Sequence, residues 1–355
     1  MAPEKSPLGL HGLSDDRGAN ALAVLSDTYG RPVTNARISL NSSLRCNFRC
    51  IHCHMEGVKS KSALSTLMTP DEIQRVVAVM SRFGIRAVKL TGGEPMLRTD
   101  IIEIVEKLKA TGLREISMTT NGTNLTKLAK PLHEAGLSRA NISLHSLRRD
   151  RFRFISGVDR HDETLSAIKA ALGARILPLK LNMTLLKNVN DDEVTEMITF
   201  VERLGRSDGE VVLQLIELVD TDPAFYAKYH YDLSQIEEDL KAKAVATYRR
   251  GIHNRPRYIL ASGVTVEVVR PMHNSLFCMK NSRIRITHDG KFKPCLLRED
   301  NHVDFLTKMR AGASDDKIAE LFKRAVALRE PFFKSHQIGV PALVKSGTYF
   351  GACSD

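Results

Sequence analysis

From Ala36 to Glu217 the chain alternates short runs of β-branched and aliphatic residues with longer amphipathic runs, each switch marked by a break. This alternation constrains the fold more than any other feature, because strands separated by helices assemble as a parallel sheet with right-handed crossovers. Strands are predicted at Ala36–Leu40, Ala87–Leu90, Glu115–Met118, Asn141–Leu144, Lys180–Leu185 and Val211–Ile216. Helices are predicted from Pro70 to Arg82 and over Ile101–Lys109, Leu125–His133, Asp162–Leu172 and Asp192–Leu204. The first of these carries its own start signal: Thr69 as N-cap, Pro70 at the first helical position and Glu72 completing a capping box. Six such units predict an α/β fold, a partial (β/α)6 barrel of TIM type, with its site in the loops at the carboxyl ends of the strands.

After Asp220 the pattern changes to a helical stretch, Ser234–Tyr248, followed by strand-like Thr265–Val269 and Arg283–Thr287. The expected organisation is a mobile amino terminus (1–24), a core barrel (25–220) and a carboxy-terminal extension (221–355) that closes the barrel mouth. No stretch reaches the roughly 18 apolar residues of a membrane span. The first thirty residues lack a basic segment followed by an apolar run, so no secretory signal is expected. A formal charge of +11 invites an anionic partner. Aromatic content of 6% and the lack of a long basic tract make nucleic acid the weaker choice.

Three of the six cysteines fall in Arg45-Cys-Asn-Phe-Arg-Cys-Ile-His-Cys-His54. Thiols so close in sequence point to metal ligation in a reducing, cytoplasmic setting rather than to a disulfide framework. At this Cys-x3-Cys-x2-Cys spacing, Cys46, Cys50 and Cys53 can hold three corners of a [4Fe-4S] cluster and leave the fourth iron open. A structural zinc site completed by His52 or His54 is the alternative. Three later segments sit at successive strand ends. Thr91-Gly92-Gly93-Glu94-Pro95 offers close backbone approach and a carboxylate for an ammonium group. Thr119-Thr120-Asn121-Gly122 and Ser143-Leu144-His145 follow. Taken singly, these have plain structural readings as turns and strand residues.

In this order the segments resemble the radical S-adenosylmethionine (SAM) superfamily. The resemblance implies that SAM binds the open iron, with Gly92, Gly93, Glu94, Thr120, Asn121 and Ser143 around it. It extends over most of the chain to the GTP 3′,8-cyclase family of molybdenum cofactor biosynthesis. Leu25-Ser-Asp-Thr-Tyr-Gly-Arg-Pro-Val-Thr-Asn-Ala-Arg37-Ile-Ser is similar to that family's amino-terminal signature. Phe277-Cys278-Met-Lys-Asn281-Ser-Arg283-Ile-Arg285-Ile-Thr-His-Asp-Gly290-Lys-Phe-Lys-Pro-Cys295-Leu is similar to its second cysteine motif. This implies a second iron–sulfur cluster on Cys278 and Cys295 that contacts guanine. It also implies GTP binding by Arg37, Lys89, Lys180, Arg283 and Arg285, and an electron donor such as a flavodoxin or ferredoxin. Whether the chain acts as a homodimer is left open.

The chain departs from the family in four places. Asn281 stands where the middle cysteine of the second motif is expected, and Gln214 where an arginine is common. The chain ends Phe350-Gly-Ala-Cys353-Ser-Asp355 instead of in two glycines, and the loop before Cys46 is slightly longer. A tail that reaches inward makes Cys353 a substitute third ligand. Its rivals are an Asn281 oxygen ligand, loss of the second cluster, and an inert Cys353. The expected function is GTP cyclisation by a radical SAM lyase. The alternatives are a related radical enzyme acting on another nucleotide or a peptide, and a non-catalytic metal-binding regulatory protein.

Overall fold

The computed structural model describes residues 24–57, 67–205 and 209–333. Cys353 and nearly all of the 1–24 segment lie outside the described residues.

Core strands and helices alternate as the sequence pattern predicts. The order is β1 (Asn35–Ser39), α1 (Pro70–Ser81), β2 (Ala87–Thr91), α2 (Ile101–Lys109), β3 (Glu115–Thr120), α3 (Leu125–Ala135) and β4 (Arg139–Ser143). Then come α4 (Arg149–Ser156), α5 (His161–Gly173), β5 (Leu179–Thr184), α6 (Val194–Arg203) and β6 (Val211–Ile216). At α1 both halves of the capping box form, Thr69 accepting from Glu72 N–H while the Glu72 carboxylate accepts from Thr69 N–H. Helices α1 and α2 bury one stripe each, Ile73, Val76, Val77 and Met80 on the first and Ile104, Val105 and Leu108 on the second. These stripes pack on the outer side of the sheet, so the aliphatic core lies between sheet and helices.

Strands β1 to β6 pair in sequence order, all parallel, and the barrel remains open. The extension builds onto the sheet itself. It adds α7 (Pro223–Tyr229), α8 (Ser234–Lys243), β7 (Ala244–Arg249), β8 (Pro256–Leu260), β9 (Thr265–Val269) and α9 (Ser275–Met279). It ends with β10 (Arg283–Ile286), β11 (Lys291–Lys293), β12 (Val303–Asp304), α10 (Leu306–Arg310) and α11 (Asp315–Ala327). Strand β9 pairs parallel with β6, and β10 pairs parallel with β1. The extension therefore lengthens the parallel sheet at both edges, giving the order β12-β11-β10-β1-β2-β3-β4-β5-β6-β9-β8-β7.

One boundary differs from expectation. The helix predicted over Ser234–Tyr248 stops at Lys243, and Ala244–Arg249 is an edge strand antiparallel to β8. Val245, Thr247 and Tyr248 suit an extended backbone. Their pairing partner, reached through a turn at 250–255, decides against the helix; Tyr248 lies opposite Arg257, whose Nη1 donates to the Tyr248 hydroxyl at 2.7 Å.

Candidate active site

The loops after β1 and β2 hold each other in place. Gly92 has φ +124°, and a Cβ there would lie 2.7 Å from Asn41 O; one on Gly93 would lie 2.4 Å from Ser42 O. The paired glycines thus let the second loop close against the cysteine loop, a demand only residues without Cβ can meet. On its other side the cysteine loop docks on the end of α4, with Arg49 N–H donating to Ser156 O at 2.8 Å and Ile51 N–H to Ile155 O at 3.0 Å.

Cys46, Cys50 and Cys53 are free thiols that line one cavity of about 440 Å³, a size suited to a small-molecule site. Burial raises all three, and the proximity of Cys53 and Cys46 adds to burial in pushing Cys50 up to about 12. As free thiols they are protonated at neutral pH, and a bound metal supplies the positive charge that ionises them. Cys46 Sγ already accepts from Phe48 N–H at 3.4 Å and Asn121 Nδ2 at 3.9 Å. A single zinc ion would draw such sulfurs into a triangle with sides of about 3.8 Å, given Zn–S bonds of about 2.3 Å. Among the described residues no three His, Cys, Asp or Glu side chains gather in that way. His54 Nδ1 accepts from Glu56 N–H at 3.1 Å, and His52 packs edge-on against His145 with ring centroids 4.4 Å apart. Three free thiols on the wall of one cavity, with Cys46 already accepting N–H···S contacts, fit the wider-spaced cubane cluster that the motif calls for.

Glu94 is 1% exposed, and its carboxylate faces its own protein. Oε1 accepts from the Thr120 hydroxyl at 2.7 Å and Met96 N–H at 3.0 Å, while Oε2 accepts from Asn121 N–H at 2.8 Å. Burial pushes Glu94 up to about 7 against these donors. The expected SAM-side residues thus form one unit, in which Glu94 ties the loop after β2 to the loop after β3. Ser143 joins them on the cavity wall from the end of β4.

Deeper in the barrel the inward face is charged, where packed barrels carry aliphatic layers. Register puts Arg285 opposite Arg37, Arg37 opposite Lys89, Gln214 opposite Glu267 and Glu267 opposite Arg257. Lys89 Nζ donates to Asn141 Oδ1 at 2.7 Å, and Asn141 Nδ2 to Asn182 Oδ1 at 3.2 Å. Lys180 Nζ lies 2.6 Å from Glu267 Oε2. Arg285 Nη1 lies 2.7 Å from Glu56 Oε2, with Arg37 Nε 3.8 Å from Glu56 Oε1. Burial would raise Glu56, but Arg37 and Arg285 outweigh it and hold the carboxyl at about 2. Arg283 is pushed well down by burial and by Arg37, Arg285 and Arg255 around it. Among the described residues eight Lys and Arg side chains line the cavity against four carboxylates, Glu56, Glu94, Glu115 and Glu217.

Five residues on or against the cavity wall carry no signal in the sequence: Glu56, Arg139, Arg250 and Arg255, which line it, and Glu267, which Arg250 and Arg255 meet. Glu56 follows the cysteine motif by only three residues but is assigned by its contacts with Arg285 and Arg37. The arginines belong to strands or turns whose inward direction only the register fixes.

Cys278 and Cys295 line the same cavity on the extension side, and burial raises Cys278 with Cys295 adding to it. Between them in sequence, Asn281 does not offer a free oxygen. Its Oδ1 accepts from Arg283 N–H at 2.9 Å and lies 3.1 Å from His253 Nε2. His253 stacks on Phe277 with ring centroids 4.0 Å apart. Among the described residues the second motif presents two thiols.

Residues 40–201 match the Radical SAM superfamily, and residues 211–335 match Molybdenum Cofactor Synthesis C. The chain is 48% identical over 318 residues to the probable GTP 3′,8-cyclase of Thermococcus kodakarensis, covering 88% of this chain and all of that one. It is 45% identical to the probable GTP 3′,8-cyclase of Pyrococcus horikoshii, covering 88% and 99%. Among solved structures, native anSMEcpe with bound AdoMet and Kp18Cys peptide superposes with a TM-score of 0.58 at 17% identity, over 86% of this chain and 85% of that one. Streptococcus suis SuiB bound to S-adenosylmethionine gives 0.56 at 15% identity, over 74% and 60%. These two likenesses show the fold alone. By its sequence and by its cysteine-lined, cation-rich barrel, the chain belongs to the GTP 3′,8-cyclase family of radical SAM enzymes.

Proposed function

We propose that the protein converts GTP to (8S)-3′,8-cyclo-7,8-dihydroguanosine 5′-triphosphate in molybdenum cofactor biosynthesis. The observation that carries this reading is a single cavity with three thiols at one end and an excess of buried cations at the other. Buried cations without counter-charge are costly, so such a wall is built for an anionic guest. A nucleoside triphosphate brings about four negative charges at neutral pH, its terminal phosphate ionising as a phosphomonoester does.

In this reading Cys46, Cys50 and Cys53 hold the [4Fe-4S] cluster, and what that cluster supplies is the electron that splits SAM into methionine and a 5′-deoxyadenosyl radical. Gly92, Gly93, Glu94, Thr120, Asn121 and Ser143 shape the SAM end of the cavity. Arg37, Lys89, Lys180, Arg283 and Arg285 take the phosphates, with forked contacts from arginine and point charges from lysine. Cys278 and Cys295, with one further ligand, serve the second cluster. The barrel would hold the ribose 3′ carbon at the SAM end, where its hydrogen would leave as part of 5′-deoxyadenosine. The carbon left behind would bond to purine C8 as the C8–N7 double bond opens, and one electron from the donor with one proton would complete the dihydropurine. The described residues of 25–220 form the SAM-cleaving core in this reading, and those of the extension, 221–333, wall the substrate end.

Among the described residues no helix is long and apolar enough to cross a membrane. We place the reaction in the cytoplasm, with a flavodoxin or ferredoxin as electron donor; light scattering on the purified protein distinguishes monomer from homodimer. The deciding experiment incubates anaerobically reconstituted protein with GTP, SAM and dithionite. GTP-dependent formation of 5′-deoxyadenosine together with the cyclised nucleotide is expected. SAM cleavage unaffected by GTP would remove the reading.

A further inference from the structure

Arg250 and Arg255 flank the turn that joins β7 to β8, and both face the cavity. Arg250 N–H closes the turn on Arg255 O at 2.9 Å, and His253 and Asn254 complete it at φ 61° and 50°. This hairpin lies beyond the core strands, on the far edge of the sheet.

Its arginines are drawn inward by Glu267 on β9, which is 0% exposed. Glu267 Oε1 lies 2.7 Å from Arg255 Nη1 and accepts from Gln214 Nε2 at 2.6 Å. Oε2 takes Lys180 Nζ at 2.6 Å and Arg257 Nε at 2.7 Å, with Arg250 Nη1 at 3.8 Å. One carboxylate thus faces four cations and cannot neutralise them. The surplus is positive and buried beside the cavity, a costly arrangement without an anion.

Two details single out Arg255. Its guanidinium meets Gln214 on the same carboxylate oxygen, so at this level of the wall the neutral amide belongs to the barrel strand and the cation to the hairpin. Its Nε is a buried nitrogen without a hydrogen-bond partner, although Nη1 is satisfied by Glu267. A guanidinium held at one corner with a free N–H edge is arranged to take a phosphate in a forked contact.

We propose that Arg255, supported by Arg250 and oriented by Glu267, is a phosphate-binding arm for the triphosphate of the nucleotide, supplied by the β7–β8 hairpin. The proposal rests on the GTP reading for the identity of the guest but not for the chemistry of the site. Glu267 is a positioning residue in it, and Gln214 leaves the charge at this level to Arg255.

The test uses anaerobically reconstituted protein and equilibrium titration with three probes: GTP, guanosine and inorganic tripolyphosphate. Arg255→Ala is expected to weaken GTP and tripolyphosphate by about ten- to a hundredfold, the loss of a charge-assisted contact, while guanosine binding and iron content stay at wild-type levels. Arg255→Lys should retain part of the affinity, and Gln214→Arg in the Arg255→Ala background should recover part of it from the neighbouring position. Wild-type GTP and tripolyphosphate affinity in Arg255→Ala overturns the proposal. So does equal weakening of all three probes, which is the mark of a merely structural ion pair. If Arg255→Ala does not fold, Arg255→Lys and Arg250→Ala carry the same comparison. Arg255-dependent binding of tripolyphosphate without binding of GTP supports the arm while overturning the nucleotide reading.

Discussion

Glu56 offers a direct measure of how the cysteine loop is fastened to the substrate end. It leaves the cysteine motif, crosses the cavity wall and accepts from Arg285 Nη1 at 2.7 Å and from the Thr91 hydroxyl at 2.9 Å. Burial works against its charge, but Arg37 and Arg285 lower the carboxyl from 4.5 to about 2. At about 1.4 kcal/mol per decade of proton affinity, that difference corresponds to about 3 kcal/mol of stability at neutral pH. Because the folded value is depressed, the contribution is complete above about 4.5, declines as pH falls below it and is gone near 2. Glu56→Gln keeps the shape and removes the charge. For a chain of 355 residues about 1.3 °C of melting temperature accompanies each kcal/mol, so the variant should unfold about 4 °C below wild type at pH 7. Near pH 3 the gap should shrink to about half. The assay is thermal unfolding by far-ultraviolet circular dichroism on iron-free protein, so that acid lysis of a cluster does not enter. A gap of the same size at both pH values would refute the electrostatic account.

Three further outcomes follow from named contacts. Gly93→Ala puts a Cβ against Ser42 O and 3.1 Å from Cys46 N; reconstituted protein should lose the iron held by Cys46, Cys50 and Cys53, and wild-type iron content would remove the steric argument. Asn281→Cys replaces an amide whose oxygen is used by Arg283 and His253 with a thiol at the spacing of the second motif; iron and sulfide per chain should rise, and no change would indicate that another group already fills that corner. Lys89 is held well below its ordinary value by burial, Arg139, Arg37, Arg283 and Lys180, so a bound triphosphate should draw a proton onto it and binding should weaken as pH rises. Calorimetry in two buffers of different ionisation heat reads the uptake directly, and identical heats would contradict it.

Edge strand β7 shows where sequence pattern loses its grip. Val245 and Tyr248 could close a helical stretch or open a strand, and pairing with β8 chooses the strand. Glu94 shows the same limit for chemistry. A glutamate after two glycines reads as a ligand for an ammonium group, and only the structure adds that its oxygens also accept from Met96, Thr120 and Asn121, tying its own loop to the next.

What the sequence determined by itself is local. The Cys46–Cys53 spacing, the Thr69–Glu72 capping box and the strand–helix alternation each lie within a few residues or turns, so their physics is complete in the string. The cation-rich wall is of another kind. Glu56 meets Arg285 across 229 residues, and Lys180 meets Glu267 across 87. Arg255 reaches the cavity only because β9 joins β6 and carries the β8 hairpin inward. Only the tertiary structure could decide these pairings, because the strand register fixes which side chains face the cavity together, and an ion pair depends on distance in space, whatever the separation along the chain.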